Sequence, residues 1–139
     1  MLPVKRTNLT GPLSTPVDPI AAGTNSVPKI EGVWTGSYFC TQGLYGVELD
    51  LKKSTPRNYL GTFKFFPLRN AQGPTGTFTL KGIRNLNGSI IFKADQWVTR
   101  SKGVDMVDIS IDKIDSSGTY ATGRVINPGC KTLVLAKSR

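Results

Sequence analysis

The 139-residue chain carries 18 Lys and Arg against 9 Asp and Glu, a formal charge of +9, and it contains no histidine. The missing histidine removes the commonest general base, pH switch and metal ligand together, and the positive balance favours an acidic partner: a protein, a membrane headgroup layer, a glycan or, less well, nucleic acid. Two cysteines ninety residues apart fit neither a zinc site nor a CxxC redox motif, and no apolar run reaches the ~18 residues of a membrane-spanning helix.

In chain order, residues 1–30 come first, with five of the nine prolines (Pro3, Pro12, Pro16, Pro19, Pro28) and no aromatic residue. Such a segment buries too little apolar surface to offset its ordering entropy. This predicts an extended arm over residues 1–30 and a folded domain over 31–139, with a disordered tail as the alternative. Leu2, Val4, Leu9, Leu13, Val17 and Ile20 are spaced like separate anchors along a partner's groove, and the prolines favour an extended path. The opening "MLPVKRTNLTGP" lacks the continuous apolar core of a secretory signal, so either export by that route is absent or the numbering begins after processing. "NLT" at Asn8 and "NGS" at Asn87 match the glycosylation acceptor.

Beyond Ile30 the period is two throughout. "GVWTGSYFC" places Trp34, Gly36, Tyr38 and Cys40 on one parity, and after "TQG" the alternation restarts with Tyr45, Val47, Leu49 and Leu51 facing one way. Trp34 and Tyr38 read as large core residues, with Gly36 giving them room. Tyr59 to Phe66 and Thr75 to Gly82 supply the next two strands, turning Phe63, Phe65, Phe78 and Leu80 to one side. "NLNG" makes a hairpin into Ser89 to Ala94, because Asn-Gly accepts the positive φ such turns require. Trp97 then falls in an apparent loop, as a binding contact or a plug for one end. "VDMVDISIDKI" alternates with Val107, Ile109 and Ile111 inward and Asp108, Ser110 and Asp112 outward, and "TYATGRVI" and "CKTLVLAK" complete eight strands.

Eight short strands joined by short loops describe an all-β, eight-stranded antiparallel meander, and closing it into a barrel removes both exposed edges. In an even-stranded closed meander the first and last strands are antiparallel neighbours. Cys40 ends the first strand and Cys130 begins the last, so both lie at one rim, where a disulfide would staple the seam; two buried free thiols are the alternative. A disulfide points to an oxidising compartment, extracytoplasmic or at a virion or cell surface, against which stands the missing signal sequence.

"GVW" ahead of a glycine-rich meander resembles the G-x-W entry strand of the lipocalin, fatty-acid-binding and avidin-like barrels. That resemblance implies that Trp34 packs at the barrel floor, with Arg124 as its late-strand arginine partner. Avidin-type ligand residues cannot be placed. "WTGSYFCTQG", "GTFKFFP", "DQWV" and "PGCKTLVL" together resemble a small domain of uncharacterised bacterial proteins, a resemblance that bears on fold more than on function.

Asp105, Asp108, Asp112 and Asp115 are close in sequence, but two are on outward positions and one opens a turn, so no acid/base pair is expected. No D-x-D-x-D-G calcium loop is present, and neither cofactor nor metal is expected. Between Leu51 and Ala94 lie eight basic residues (Lys52, Lys53, Arg57, Lys64, Arg69, Lys81, Arg84, Lys93) and no acidic one. Lys64, Lys81 and Lys93 share the outward parity and make a candidate basic face, with a solvated surface as the alternative. The expectation is a non-enzymatic accessory or structural subunit docked onto a larger assembly through its arm. The competing expectation is a lipocalin-like carrier of a small ligand or a secreted binding module, and the free volume inside the barrel separates the two.

Overall fold

The structure is a computed structural model that describes residues 29–41, 43–68 and 73–139. Eight strands follow in order: β1 Gly32–Cys40, β2 Gly43–Thr55, β3 Asn58–Pro67, β4 Gly76–Arg84, β5 Ile90–Thr99, β6 Asp108–Ile114, β7 Tyr120–Ile126 and β8 Cys130–Lys137. Each pairs antiparallel with the next, and β8 returns to β1, so the sheet is a closed barrel. The fold expected from the alternation is therefore the fold observed. The arm residues Leu2, Val4, Leu9, Leu13, Val17 and Ile20 lie outside the described residues.

Inward parity builds the core. Trp34, Leu49, Leu51, Phe63, Phe78, Leu80, Ile90, Phe92, Ile109 and Leu133 are essentially inaccessible to solvent, and burial of such side chains is worth roughly 1.5–3 kcal/mol each. Ile30, assigned to the arm by composition, is fully buried and belongs to this core. Its carbonyl accepts the indole N–H of Trp34 at 2.8 Å. Packing of the barrel thus starts before residue 31.

Bulges decide which residues can face inward, and one of them corrects the sequence reading. On β8 the register moves from Tyr38↔Leu133 to Cys40↔Cys130, leaving Lys131 and Thr132 opposite Phe39 alone. Leu133 and Cys130, three residues apart, consequently both face inward. On β5 the register passes from Leu80↔Ala94 to Phe78↔Trp97, and the extra residue resets the parity. Trp97 is therefore part of β5 and half-buried, not in a loop. Its ring meets Phe78 edge-on at 5.5 Å between centroids. Thr79 supports the bulge, its hydroxyl accepting from Gln96 N at 3.0 Å and donating to Gln96 O at 3.4 Å.

Two further readings change. A Cβ on Gly36 would collide with the Val134 carbonyl oxygen of β8, so the glycine is there for the closing strand rather than for its neighbours Trp34 and Tyr38. Ser110, on the outward parity, is nonetheless buried. Its hydroxyl donates to Asp112 Oδ1 at 2.5 Å, and Arg124 Nη2 donates to the same hydroxyl at 3.4 Å, so these two side chains lie over it. The Asn85–Ser89 hairpin turns as expected, with Gly88 at φ 92°.

Candidate ligand site at the open end of the barrel

The two ends of the barrel are built differently. At the floor, Trp34 is sealed by Ile30 below and by Lys137, whose ammonium lies 5.2 Å from the ring centroid and donates to Lys29 O at 2.9 Å. Arg124 does not take that part. It stands on the outer face of β7, paired with Asp112 through Nε to Oδ2 at 3.0 Å, because its even-numbered position points away from the core. The cation for the floor comes instead from the end of β8. Tyr59 closes the same end, its hydroxyl accepting from Arg84 Nε at 3.1 Å.

At the opposite end the wall parts. β5 and β6 pair through Ile90↔Ile111, Ile91↔Ser110 and Phe92↔Ile109 and then separate. Asp108 fills the next position with its side chain, Oδ1 accepting from Ala94 N at 2.8 Å. The connection after β5 spans the gap and is pinned by Arg100, which lies 5.5 Å from the Trp97 centroid and donates to Val104 O at 3.4 Å. Ser101 donates to Thr75 O in the connection between β3 and β4.

Behind this gap lies a cavity of about 330 Å³. One side is aromatic: Tyr38 stacks on Tyr45 at 5.6 Å and 17°, Phe63 stacks on Phe78 at 5.0 Å and 22°, and Phe65 tilts against both phenylalanines. The other side consists of Pro74, Val104, Val107, Asp105 and Asn127, with the cysteine pair at its edge. Cys40 and Cys130 are bridged across the β1–β8 seam, as the shared rim predicted. A loop of this length gives the bridge roughly 4.5 kcal/mol in the chain-entropy model, so the bond stabilises the strand ends that form the cavity wall.

The two tyrosines have an unusual standing. Tyr38 and Tyr45 are 6% and 8% exposed, and among the described residues neither hydroxyl has a hydrogen-bond partner. Burial, with a smaller contribution from neighbouring Tyr45, raises the Tyr38 hydroxyl above the ordinary phenol range. It stays a neutral O–H. Both tyrosines line the cavity, so their hydroxyls are polar groups on its aromatic side with which a ligand oxygen can pair.

The remaining sequence candidates are dispersed. Lys64, Lys81 and Lys93 are all exposed, on β3, β4 and β5. Lys81 stands directly opposite Lys93, but Lys64 faces Thr77, four residues along β4. Lys81 lies 3.8 Å from Asp95 and Lys93 3.7 Å from Asp108, so carboxylates from outside the basic segment fold back onto it. Asp112 is committed to Arg124 and Asp115 to its turn. Among the described residues no group of three or more His, Cys, Asp or Glu side chains could hold a metal ion.

Sequence reasoning missed Asp105 and Val104 as cavity residues and Trp97 as part of the wall behind it. The aromatic side was visible as inward parity; the lip was not, because a connection that bridges two parted strands carries no periodicity. Comparison of the chain with protein-family models, curated proteins and solved structures finds no match in any of the three.

Proposed function

We propose that this protein is a non-catalytic binding barrel that takes a small, largely aromatic ligand through its open end. The observation that carries the reading is the pairing of a 330 Å³ cavity with two tyrosine hydroxyls that are buried in its wall and unpartnered among the described residues. The volume is at the lower end of the range for small-molecule pockets, and an apolar lining with a few polar groups is their usual composition. The test is a titration of the isotope-labelled protein with 4-methylphenol, followed by amide chemical shifts. Saturable shifts confined to the residues around Tyr38, Tyr45, Phe65 and Val104 are expected, and Val107→Trp, which fills the cavity, should remove them. Shifts that never saturate, or that spread evenly over the outer surface, overturn the reading.

A second reading is an accessory subunit docked onto a larger assembly. It draws support from the outer face of β1, β8 and β7, where Thr35, Ser37, Phe39, Val134, Ala136, Tyr120 and Thr122 are uncharged and Arg124, opposite Thr132, stands at the border. Phe39, Val134 and Tyr120 are 54%, 46% and 66% exposed. Removal of residues 1–27 should leave the barrel folded and abolish incorporation into the assembly; incorporation at the normal level would locate the docking function on the barrel wall.

A further inference from the structure

The cavity's lip has a chemistry of its own, and an inference about the ligand class rests on the binding reading above. Asp105 is exposed, in the connection between β5 and β6, and among the described residues lining the cavity it is the single charged side chain. Among the described residues no salt bridge engages it. Of the two cations in the same connection, Arg100 is turned onto the Trp97 ring and the Val104 carbonyl, and Lys102 is exposed with no salt bridge to Asp105. In a chain of charge +9, the entrance to an aromatic cavity is thus marked by a free carboxylate.

Aromatic ring faces and a carboxylate attract the same kind of group. Ring quadrupoles draw a cation to within about 6 Å of the face, and a carboxylate at the edge of a low-dielectric pocket adds a charge attraction larger than it would have in bulk water. Deeper in, Tyr38 and Tyr45 offer O–H groups that suit a neutral oxygen on the ligand. We propose that the cavity binds a small aromatic amine, with its ring among Tyr38, Phe63 and Phe78, its ammonium at Asp105 and a ring hydroxyl at the two buried tyrosines.

Three probes that share one phenol ring and differ at the far end decide this: tyramine, 4-ethylphenol and 3-(4-hydroxyphenyl)propionate, titrated calorimetrically into the full chain at low ionic strength. Tyramine is expected to bind at least about tenfold more tightly than 4-ethylphenol, with the propionate weakest. Asp105→Asn should abolish the difference between tyramine and 4-ethylphenol, both measured on the variant. The residue is exposed and outside the strands, so an unchanged thermal midpoint confirms that the variant is folded. Equal affinities for tyramine and 4-ethylphenol, or an Asp105→Asn variant that binds tyramine normally, overturn the amine assignment while leaving the cavity a binding site. Failure of all three probes to bind removes the cavity reading and the amine assignment together.

Discussion

The floor and the mouth of this barrel are made from the same residue types and treat them oppositely. At the floor each large polar-tipped side chain is completed from within: Trp34 by the Ile30 carbonyl, Tyr59 by the Arg84 guanidinium. At the mouth Tyr38 and Tyr45 are also buried, though less deeply, and no described residue completes their hydroxyls. A satisfied buried hydrogen bond contributes about 1 kcal/mol. Side-chain hydrogen-bond completion is thus concentrated at the floor, while the mouth is held by the Cys40–Cys130 bridge and keeps its tyrosine hydroxyls for a bound molecule.

Removing the floor should produce the largest effect. Trp34→Ala deletes the largest fully buried side chain and strands the Ile30 carbonyl, and by analogy with other buried-aromatic truncations it should cost about 3–5 kcal/mol. That is a large share of the 5–15 kcal/mol typical of a domain. Urea unfolding of the variant measures it. A loss below about 1 kcal/mol would mean that the floor carries little of the stability assigned to it here.

Opening the seam at the other end comes next. Native disulfides in small domains typically contribute about 2–5 kcal/mol, and reduction of Cys40–Cys130 should lower the urea midpoint accordingly. Because both sulfurs edge the cavity, binding of a probe should weaken under reductant even in conditions where the barrel remains folded. Binding that is indifferent to reductant would separate the seam from the site.

How far the sequence revealed this arrangement follows from one physical rule. Wherever strands keep strict alternation, inward residues could be read off by counting: Trp34, Tyr38, Phe63, Phe78 and Ile109 all lie where parity put them. Bulges break the count. Trp97 looked like a loop residue because the bulge after Ala94 inserts a residue, and Ser110 looked exposed because parity says nothing of the Arg124 and Asp112 side chains laid over it. Arg124 was assigned to the floor through a resemblance, and its outward parity on β7 overrides that. Cys40 and Cys130 were legible as a pair because barrel closure constrains both ends of the chain at once. Asp105, in a connection with neither period nor partner strand, was seen as a residue without being placed at the site.

The sharpest contrast between the two ends comes from deleting one oxygen at each. Tyr59→Phe leaves Arg84 without its acceptor and should cost about 1 kcal/mol. Tyr45→Phe removes a hydroxyl that has no described partner, so it should leave stability unchanged or raise it slightly, while weakening the binding of a phenolic probe. Paired chemical denaturation of the two variants reads the difference directly. Equal losses would indicate that the Tyr45 hydroxyl is completed in the free protein, and the distinction between the ends would fail at its most specific point.

The smallest effect concerns how the floor-side turns are held, and it appears as a pH dependence. Asp115 opens the turn between β6 and β7 and closes it with its own carboxylate, accepting from Tyr120 N at 3.0 Å, Ser117 Oγ at 2.7 Å and Thr119 N at 2.8 Å. The Tyr120 amide, followed by the Ser117 hydroxyl and the Thr119 groups, holds the carboxyl at about 2, against an ordinary value near 3.8. A carboxyl depressed in the folded state binds its proton more readily when unfolded, so its stabilising contribution is present above the unfolded value and is lost as pH falls toward 2. Asp115→Asn should therefore flatten the stability profile between about pH 4 and pH 2 and leave it parallel to the wild type above pH 5. A carboxyl resonance of Asp115 that titrates near 3.8 would show that the turn is held by its backbone alone, since the hydrogen bonds that lower the value are the same ones that would fix the turn.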